Sequence, residues 1–261
     1  MDAHTSATAG SKAQPRTVAL FVSDLHLSAD VPRTSAAFFD FLQNTGTQAK
    51  ALYLLGDVFE YWAGDDDLDA PFNQKVCTVL RSLADSGVQI FWIAGNRDFL
   101  VGQKFAMAAR ISLLQEPHIV TMAGQKLLLL HGDAQCIDDT DYMKFRARVR
   151  DPAWQSVFLA RPLADRKALI AGMREGSRAA QKEKSMAIMD VNPTEIKKLF
   201  RSHSVELIIH GHTHRPGMHL TEGGTRYVLP DWDCDGDTAR GGWIAMDSDG
   251  KLSSVSILNS G

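Results

Sequence analysis

The sequence predicts a layered α/β fold, and three observations support this prediction. Five short apolar runs have the length and the β-branched or leucine-rich composition of buried strands. Helix-length amphipathic stretches separate the first three runs, and this alternation is typical of a parallel sheet covered by helices. After residue 225, short apolar segments alternate with turn residues, which indicates a second, partly antiparallel sheet.

The predicted elements follow one another in a simple order along the chain. The five buried strands are expected at residues 17–26, 51–59, 88–98, 126–133 and 206–214. The two helices are expected at residues 35–46 and 72–87, because apolar side chains there share one face and a glycine ends each stretch. The later strands are expected within residues 225–232, 241–247 and 251–258.

Composition limits the class of protein. The chain has 261 residues, of which 44% are apolar, and this suffices for one large core or two small ones. Residues 1–16 contain no apolar segment and are predicted to be a disordered leader before a folded domain at 17–261. No apolar run approaches the roughly 20 residues that span a bilayer. The cysteines are too few for a disulfide framework, which favours a reducing compartment.

One segment differs from the rest of the chain in charge. Residues 142–187 contain 11 Lys and Arg but 4 Asp and Glu, whereas the whole chain has a net charge of −3. The same segment has a helical character and carries large apolar residues such as Trp154 and Phe158. We interpret it as an inserted helical cap, at about residues 140–190, that is both basic and apolar.

Residues that bind hard or borderline cations follow each of the five buried strands. These residues are Asp24, His26, Asp57, Asn96, His131, His212 and His214. Ligands of an open α/β sheet gather at the carboxyl ends of its strands, so these side chains are expected to meet. Nitrogen and oxygen ligands without a thiolate suit Mn, Fe or Zn. They are too many for one tetrahedral ion and fit two ions about 3.5–4 Å apart, bridged by a carboxylate.

Each motif alone also has a structural explanation. Asp57 could cap the helix that follows it, and a single buried histidine such as His131 is more often a core residue than a ligand. His210 faces away from His212 and His214 in an extended chain, so we expect it either in the core or as a support behind the ligands. The order of the five strand-end motifs makes a shared metal site the preferred interpretation.

The motifs resemble those of the calcineurin-like metallophosphoesterases. They are D-x-H at 24–26, G-D at 56–57, G-N-R-D at 95–98, His131 and G-H-x-H at 211–214. The resemblance covers nearly the whole chain from Val18 and implies a four-layer α/β/β/α sandwich with a dinuclear centre. It implies one ion on Asp24, His26, Asp57 and His214, and the other on Asp57, Asn96, His131 and His212. In this arrangement Asp57 bridges the two ions.

Position 97 narrows the choice within that family. Many members carry histidine there, whereas this chain has Arg97. Arginine does not act as a proton donor in the physiological range, but it supplies fixed charge and bidentate contacts to phosphate. A pyrophosphate bond suits that change, since its leaving group is already a phosphate and needs charge neutralisation more than a proton.

Longer segments resemble one subfamily, the UDP-2,3-diacylglucosamine pyrophosphohydrolases of bacterial lipid A synthesis. They are GDVFEYWAGDDD, GNRDFL, HGDAQCIDDTDY, SMAIMDVNP and HGHTHRP. The resemblance implies water attack at the α-phosphorus, which releases UMP and 2,3-diacylglucosamine 1-phosphate (lipid X). It also implies two Mn²⁺ ions per chain and a peripheral location on the cytoplasmic side of the bacterial inner membrane. We expect a monomer.

The same resemblance implies roles for individual residues. The residues implied in catalysis are Asn96, Arg97 and His131. The residues implied in substrate binding are Asn96, Arg97, Asp139, Ser177, Gln181, Lys184 and His212. For the residues of the cap, and for Ser177 and Gln181 above all, a solvated helix face is the alternative interpretation.

Two other functions stay open at this point. The first is a metallophosphoesterase that acts on another phosphodiester, such as nucleic acid, or on phosphoproteins. The positive charge is confined to one apolar-rich segment without evident strand-tracking aromatics, so we expect no nucleic acid partner. The second is a scaffold that kept the fold without the activity, which a complete set of metal ligands argues against.

Overall fold

The computed structural model of the chain describes residues 16–183 and 190–259, without the side chains of residues 176–183. Its strands are β1 (Thr17–Val22), β2 (Ala51–Leu55), β3 (Gln89–Ile93), β4 (Ser112–Leu114), β5 (His118–Met122), β6 (Gln125–Leu129), β7 (Leu207–His210), β8 (Gly217–Thr221), β9 (Gly224–Val228), β10 (Gly242–Asp247) and β11 (Leu252–Ser256). Its helices are α1 (Pro32–Asn44), α2 (Pro71–Asp85), α3 (Gln103–Ala109), α4 (Thr140–Val149), α5 (Pro152–Leu159), α6 (Leu163–Glu183) and α7 (Pro193–His203).

The strands form two sheets. The first has the order β11-β10-β1-β2-β3-β4, in which β1 to β4 are parallel, β10 is antiparallel to β1, and β11 is antiparallel to β10. The second has the order β5-β6-β7-β9-β8, with β6, β7 and β9 parallel. Strands β1, β2, β3, β6 and β7 therefore confirm the five predicted buried strands.

Alternating side chains on the same strand build two layers of core. On β1, Leu20 and Val22 pack in the layer that contains Phe38 of α1, whereas Ala19 and Phe21 pack between the two sheets. A strand that is covered on both faces reads as a continuous apolar run, as it does in this sequence.

A third apolar layer lies on the outer face of the second sheet. There Ile196 and Phe200 of α7 pack with Leu128 and Ile208 of the sheet. Helix α7 begins where Asn192 accepts hydrogen bonds from the N–H groups of two residues in its first turn. Helices, sheet, sheet and helix thus confirm the expected four-layer α/β/β/α sandwich.

The structure corrects two expectations and adds elements that the sequence did not reveal. The predicted strand 17–26 ends at Val22, because the polar residues that follow belong to loops, and the other predicted buried strands are shortened in the same way. Strands β10 and β11 join the first sheet and not the second, because β10 buries Trp243 on one face and Ile244 on the other. The sequence patterns did not reveal α3, β4, β5, α7 and β8.

The segment predicted as a cap contains α4, α5 and α6. Arg166 of α6 is buried and donates a hydrogen bond to the carbonyl oxygen of Ala63 at 2.5 Å, and it also pairs with Asp66. Lys167 lies 2.6 Å from Asp67. These contacts fasten the start of α6 to the loop between β2 and α2. No helix within the described ranges is long and apolar enough to cross a membrane.

Candidate metal centre

The loops after β1, β2, β3, β6 and β7 meet at one edge of the two sheets. Their backbone is unusual, because five of the predicted ligands have a left-handed conformation. These residues are Asp24 (φ 53°), His26 (φ 48°), Asp57 (φ 53°), His212 (φ 66°) and His214 (φ 52°). A left-handed non-glycine residue costs roughly 1–2 kcal/mol, and such strain concentrates at functional sites.

Asp24, His26 and His214 form the first group of converging side chains. One potential ligand atom from each lies within 4.8 Å of the others. His26 Nε2 is 3.4 Å from His214 Nε2, and His214 Nε2 is 3.4 Å from Asp24 Oδ1. Asp24 Oδ1 is buried and accepts no hydrogen bond. A buried carboxylate oxygen beside two ring nitrogens is therefore turned towards the centre of the group.

Two carboxylates outside the group orient its histidine rings. His26 Nδ1 donates to Glu60 Oε2 at 3.0 Å, and His214 Nδ1 lies 3.5 Å from Asp231 Oδ2. Since an ionised carboxylate only accepts hydrogen bonds, Nδ1 of His26 carries the proton of this contact. The Nε2 atoms of both rings face into the group, as in metal sites where a carboxylate supports each histidine ligand.

Asp57, His131 and His212 form the second group, and Asn96 joins it. His131 Nδ1 donates to the carbonyl oxygen of Leu55 at 2.9 Å, which directs its Nε2 inwards. This Nε2 lies 2.9 Å from Asn96 Oδ1 and 3.6 Å from Asp57 Oδ1. The same Asn96 oxygen is 2.9 Å from His212 Nδ1.

Both groups suit divalent cations by their chemistry. Each brings carboxylate or amide oxygens and imidazole nitrogens together, and the Nδ1 atoms of His26 and His131 are turned outwards. Oxygen and imidazole donors without a thiolate match Mn²⁺, Zn²⁺ or Fe. The seven predicted ligands are thus brought together, while His210 lies in the core as expected, with its Nε2 3.1 Å from Arg226 Nη1.

Two glycines of the motifs are required by close approach. A Cβ atom on Gly95 would lie 2.2 Å from Asp57 Oδ1, and one on Gly211 would lie 2.2 Å from Asp24 Oδ2. Any larger residue would displace a carboxylate of the site. This explains why glycine precedes Asn96 and His212.

The pKa values of two neighbouring histidines at this edge are shifted in opposite directions. Burial opposes a charged ring at His131, but the carboxylates of Asp57 and Asp24 outweigh it and raise its pKa to about 9. Burial lowers the pKa of His212 to about 4, with help from the positive His131. Perturbed groups of this kind, gathered at the end of a cleft, are typical of functional sites.

A cavity of about 690 Å³ opens above the two groups. Its floor includes His26, Asp57, Asn96, His212 and His214. Its apolar wall comes largely from the cap helices. The residues of this wall are Phe99, Leu100, Phe145, Trp154, Phe158, Ile170 and Met173. One continuous cavity thus joins the candidate metal ligands to an apolar wall.

The other predicted substrate residues divide into two sets. Arg97 lines the cavity, its Nε is buried without a hydrogen bond, and its backbone N–H donates to Asp57 Oδ1 at 2.8 Å. Asp139 also borders the cavity and caps α4 by accepting from the N–H of Tyr142 at 3.1 Å. The side chains of Ser177, Gln181 and Lys184 lie outside the described residues.

Sequence reasoning missed several residues that support the site. Glu60 contacts His26 and also pairs with Arg174 of α6, and Asp231 supports His214. Asp98 accepts hydrogen bonds from the N–H groups of Gly95 and Val58, both at 2.7–2.8 Å, and so joins two ligand loops. Asp98 is the last residue of the G-N-R-D motif, whereas no sequence pattern indicated a role for Glu60 or Asp231.

Comparisons with known proteins are consistent with this geometry. A family model described as calcineurin-like phosphoesterase matches residues 18–216. A protein of Aromatoleum aromaticum named UDP-2,3-diacylglucosamine hydrolase is 49% identical over 221 residues, which cover 83% of this chain and 90% of that protein. Proteins with the same name from Cellvibrio japonicus (48% identity, 83% and 92% coverage) and an Enterobacter species (45% identity, 85% and 93% coverage) are also similar.

Proposed function

Because this chain belongs to the calcineurin-like phosphoesterase family, we propose that it hydrolyses the pyrophosphate bond of UDP-2,3-diacylglucosamine in lipid A biosynthesis. Water attacks the α-phosphorus, and the products are UMP and 2,3-diacylglucosamine 1-phosphate. The observation that carries the proposal is the single cavity with a cation-binding floor and an apolar wall. A diphosphate with two acyl chains has the same two-sided chemistry.

The proposed cofactors are two Mn²⁺ ions per chain. One would be held by Asp24, His26, Asp57 and His214, and the other by Asp57, Asn96, His131 and His212. Bound divalent ions lower the pKa of water and neutralise phosphate oxygens. The support for this assignment is the convergence of ring nitrogens and side-chain oxygens described above, including the buried Asp24 Oδ1.

The chain's own residues then orient the reaction. Leu55 fixes the ring of His131, and Asn96 Oδ1 touches both His131 and His212, so the three side chains form one rigid face. Arg97 stands beside that face with a free Nε and a fixed charge. We assign it to the diphosphate, where it stabilises the negative charge that grows on the departing lipid phosphate.

The proposed cap, at about residues 140–190 of a domain at 17–261, holds the lipid. Trp154, Phe158 and Ile170 face the cavity and offer apolar contact to the acyl chains. Each buried methylene contributes about 0.8 kcal/mol, so a few contacts are enough to favour a diacyl substrate strongly. Asp139, Ser177, Gln181 and Lys184 are proposed to bind the polar part of the substrate, together with His212.

We place the enzyme at the cytoplasmic side of the inner membrane as a peripheral monomer, because its proposed substrate is a membrane lipid. Val157, Leu159 and Leu169 on the cap are partly or largely exposed, and Arg161 is near them in sequence. Apolar residues mixed with basic ones suit the surface of an anionic bilayer. The apolar wall does not favour the alternative of nucleic acid hydrolysis.

The test of the proposed function is direct. The purified chain is incubated with UDP-2,3-diacylglucosamine and Mn²⁺, and UMP is measured by chromatography. We expect UMP to form, to disappear with EDTA, and to return when excess Mn²⁺ is added. Metal-dependent cleavage of a small phosphodiester without release of UMP from the lipid would disprove the substrate and leave the enzyme class intact.

A further inference from the structure

Two acidic side chains lie behind His131, one of them buried and the other largely buried. Glu116 Oε1 accepts hydrogen bonds from the N–H of His131 at 2.8 Å and from the N–H of Gly132 at 3.3 Å. Asp133 follows two residues later and is fully buried. Buried carboxylates destabilise the fold strongly unless a positive charge compensates them. The loop that presents His131 therefore depends on a cation from elsewhere.

Arg146 of α4 supplies that cation. Its Nε donates to Asp133 Oδ2 at 2.8 Å, and its Nη2 lies 3.5 Å from Glu116 Oε2. Tyr142, one turn earlier on the same helix, donates from its hydroxyl to Asp133 Oδ2 at 2.7 Å. One face of α4 thus compensates the negative charge behind His131, a proposed metal ligand.

Arg150, the residue directly after α4, contacts a second ligand loop, which is the loop after β3. Its Nη2 donates to the carbonyl oxygens of Ala94 at 3.2 Å and Gly95 at 2.9 Å, directly before Asn96. Its guanidinium also lies 5.5 Å from the centre of the Phe99 ring. The two arginines, four residues apart, therefore hold the two loops whose ligands His131 and Asn96 touch each other.

We infer that α4 is part of the metal centre, and that Arg146 and Arg150 are positioning residues for the ion on Asn96, His131 and His212. The inference rests on the proposed two-ion site. In the described parts of the chain, no hydrogen bond or ion pair joins α4 or Arg150 to Asp24, His26 or His214. The influence of the two arginines is thus directed at one ion position.

The physical reason is the short length of metal–ligand bonds. Nitrogen and oxygen ligands bind at about 2.0–2.2 Å, so a loop shift of a few tenths of an ångström weakens the site. Removing Arg146 takes away the cation that contacts both Asp133 and Glu116, so that Asp133 keeps only Arg150 at 3.9 Å. Removing Arg150 frees the carbonyl groups before Asn96. Loss of an outer partner of this kind commonly lowers metal affinity by about 10–100-fold.

The experiment measures metal binding by the full-length chain. Metal is removed from wild type, Arg146→Ala, Arg150→Ala, Arg150→Lys and Arg148→Ala, and each is titrated with Mn²⁺ while free Mn²⁺ is followed by electron paramagnetic resonance. Arg148 is the matched control, because it lies on the exposed face of the same helix. We expect one of two binding steps to weaken by at least about tenfold in both alanine variants.

The other step should stay within about twofold of wild type, Arg148→Ala should match wild type, and Arg150→Lys should recover part of the loss because lysine still donates to carbonyl groups. Equal weakening of both steps, or no weakening in either alanine variant, would overturn the inference. If Arg146→Ala does not fold, Arg150→Ala alone decides. No substrate is used, so a wrong substrate assignment leaves the result unaffected.

Discussion

The edge of the two sheets and the cap helices that face it use charge in opposite ways. At the edge, ligand atoms point at one another across left-handed loops, and Asp24 Oδ1 accepts no hydrogen bond. In the cap, the described cationic groups are largely paired: Arg146 with Asp133, and Arg166 with Asp66. The edge has the donor atoms of a cation site, whereas most charges in the described part of the cap are already compensated.

This difference changes the meaning of the basic segment in the sequence. The sequence shows an excess of Lys and Arg at 142–187, but in the described part of the cap much of this charge holds the cap to acidic loops of the sandwich. Lys167 pairs with Asp67, and Arg174 pairs with Glu60. We therefore propose that the described part of the cap offers the substrate mainly an apolar wall, and that Arg97 at the edge meets the phosphate charge.

The largest effect is expected at the edge. Asp57→Ala should lower hydrolysis of the proposed substrate by about 10³-fold or more, because the proposed bridging carboxylate serves both ions. Metal content, measured by elemental analysis, should fall from about two ions per chain towards one or none. Asp249→Ala, in the exposed turn between β10 and β11, is the control. Wild-type metal content in Asp57→Ala would contradict the bridging role.

The next effect separates the two regions. A chain without residues 152–189, closed by a Gly/Ser linker, keeps Arg146 and Arg150 but loses the wall formed by Trp154, Phe158 and Ile170. Loss of contact with about four methylenes predicts a fall of roughly 10²-fold for the diacyl substrate. A small chromogenic phosphodiester should be cleaved within about threefold of the wild-type rate. A parallel loss on both substrates would show that α5 and α6 belong to the catalytic site.

A comparable effect is expected at Arg97, within the edge. Arg97→His should lower diphosphate hydrolysis by about 10²-fold, because a fixed charge at the leaving phosphate is lost. Arg97→Lys should recover part of it, since lysine is a point charge without the planar fork. Metal content should not change. The loss should be smaller on an alkyl phosphodiester, and equal losses on both substrates would limit Arg97 to general phosphate binding.

The smallest effect is expected where the two regions touch. Glu60 contacts His26 at the edge and Arg174 in the cap. Glu60→Gln keeps an acceptor for His26 but removes the charge, so Mn²⁺ affinity should fall by about tenfold. Glu175→Gln, next to Arg174 on an exposed position, is the matched control. Unchanged affinity in Glu60→Gln would mean that the ring of His26 needs no charged partner.

The sequence predicted the edge far better than its supports. Strands buried on both faces give long apolar runs, and the ligands recur in a fixed order at the ends of these strands. Both features could therefore be predicted from the sequence. Glu60, Glu116 and Asp231 act through contacts between distant loops, which no local spacing encodes. The left-handed backbone of Asp24 and His212 was equally hidden, because Asp and His adopt it more often than other residues but still too rarely for the residue type to reveal it.

The destination of the attacking oxygen tests the central claim most directly. In the proposed reaction, the edge delivers water to the α-phosphorus and stabilises the departing lipid phosphate, while the cap holds the acyl chains. The reaction is run in water enriched in oxygen-18, and both products are weighed by mass spectrometry. We expect the label in UMP and none in 2,3-diacylglucosamine 1-phosphate. Label in the lipid phosphate would place the attack on the other phosphorus and contradict the proposed arrangement.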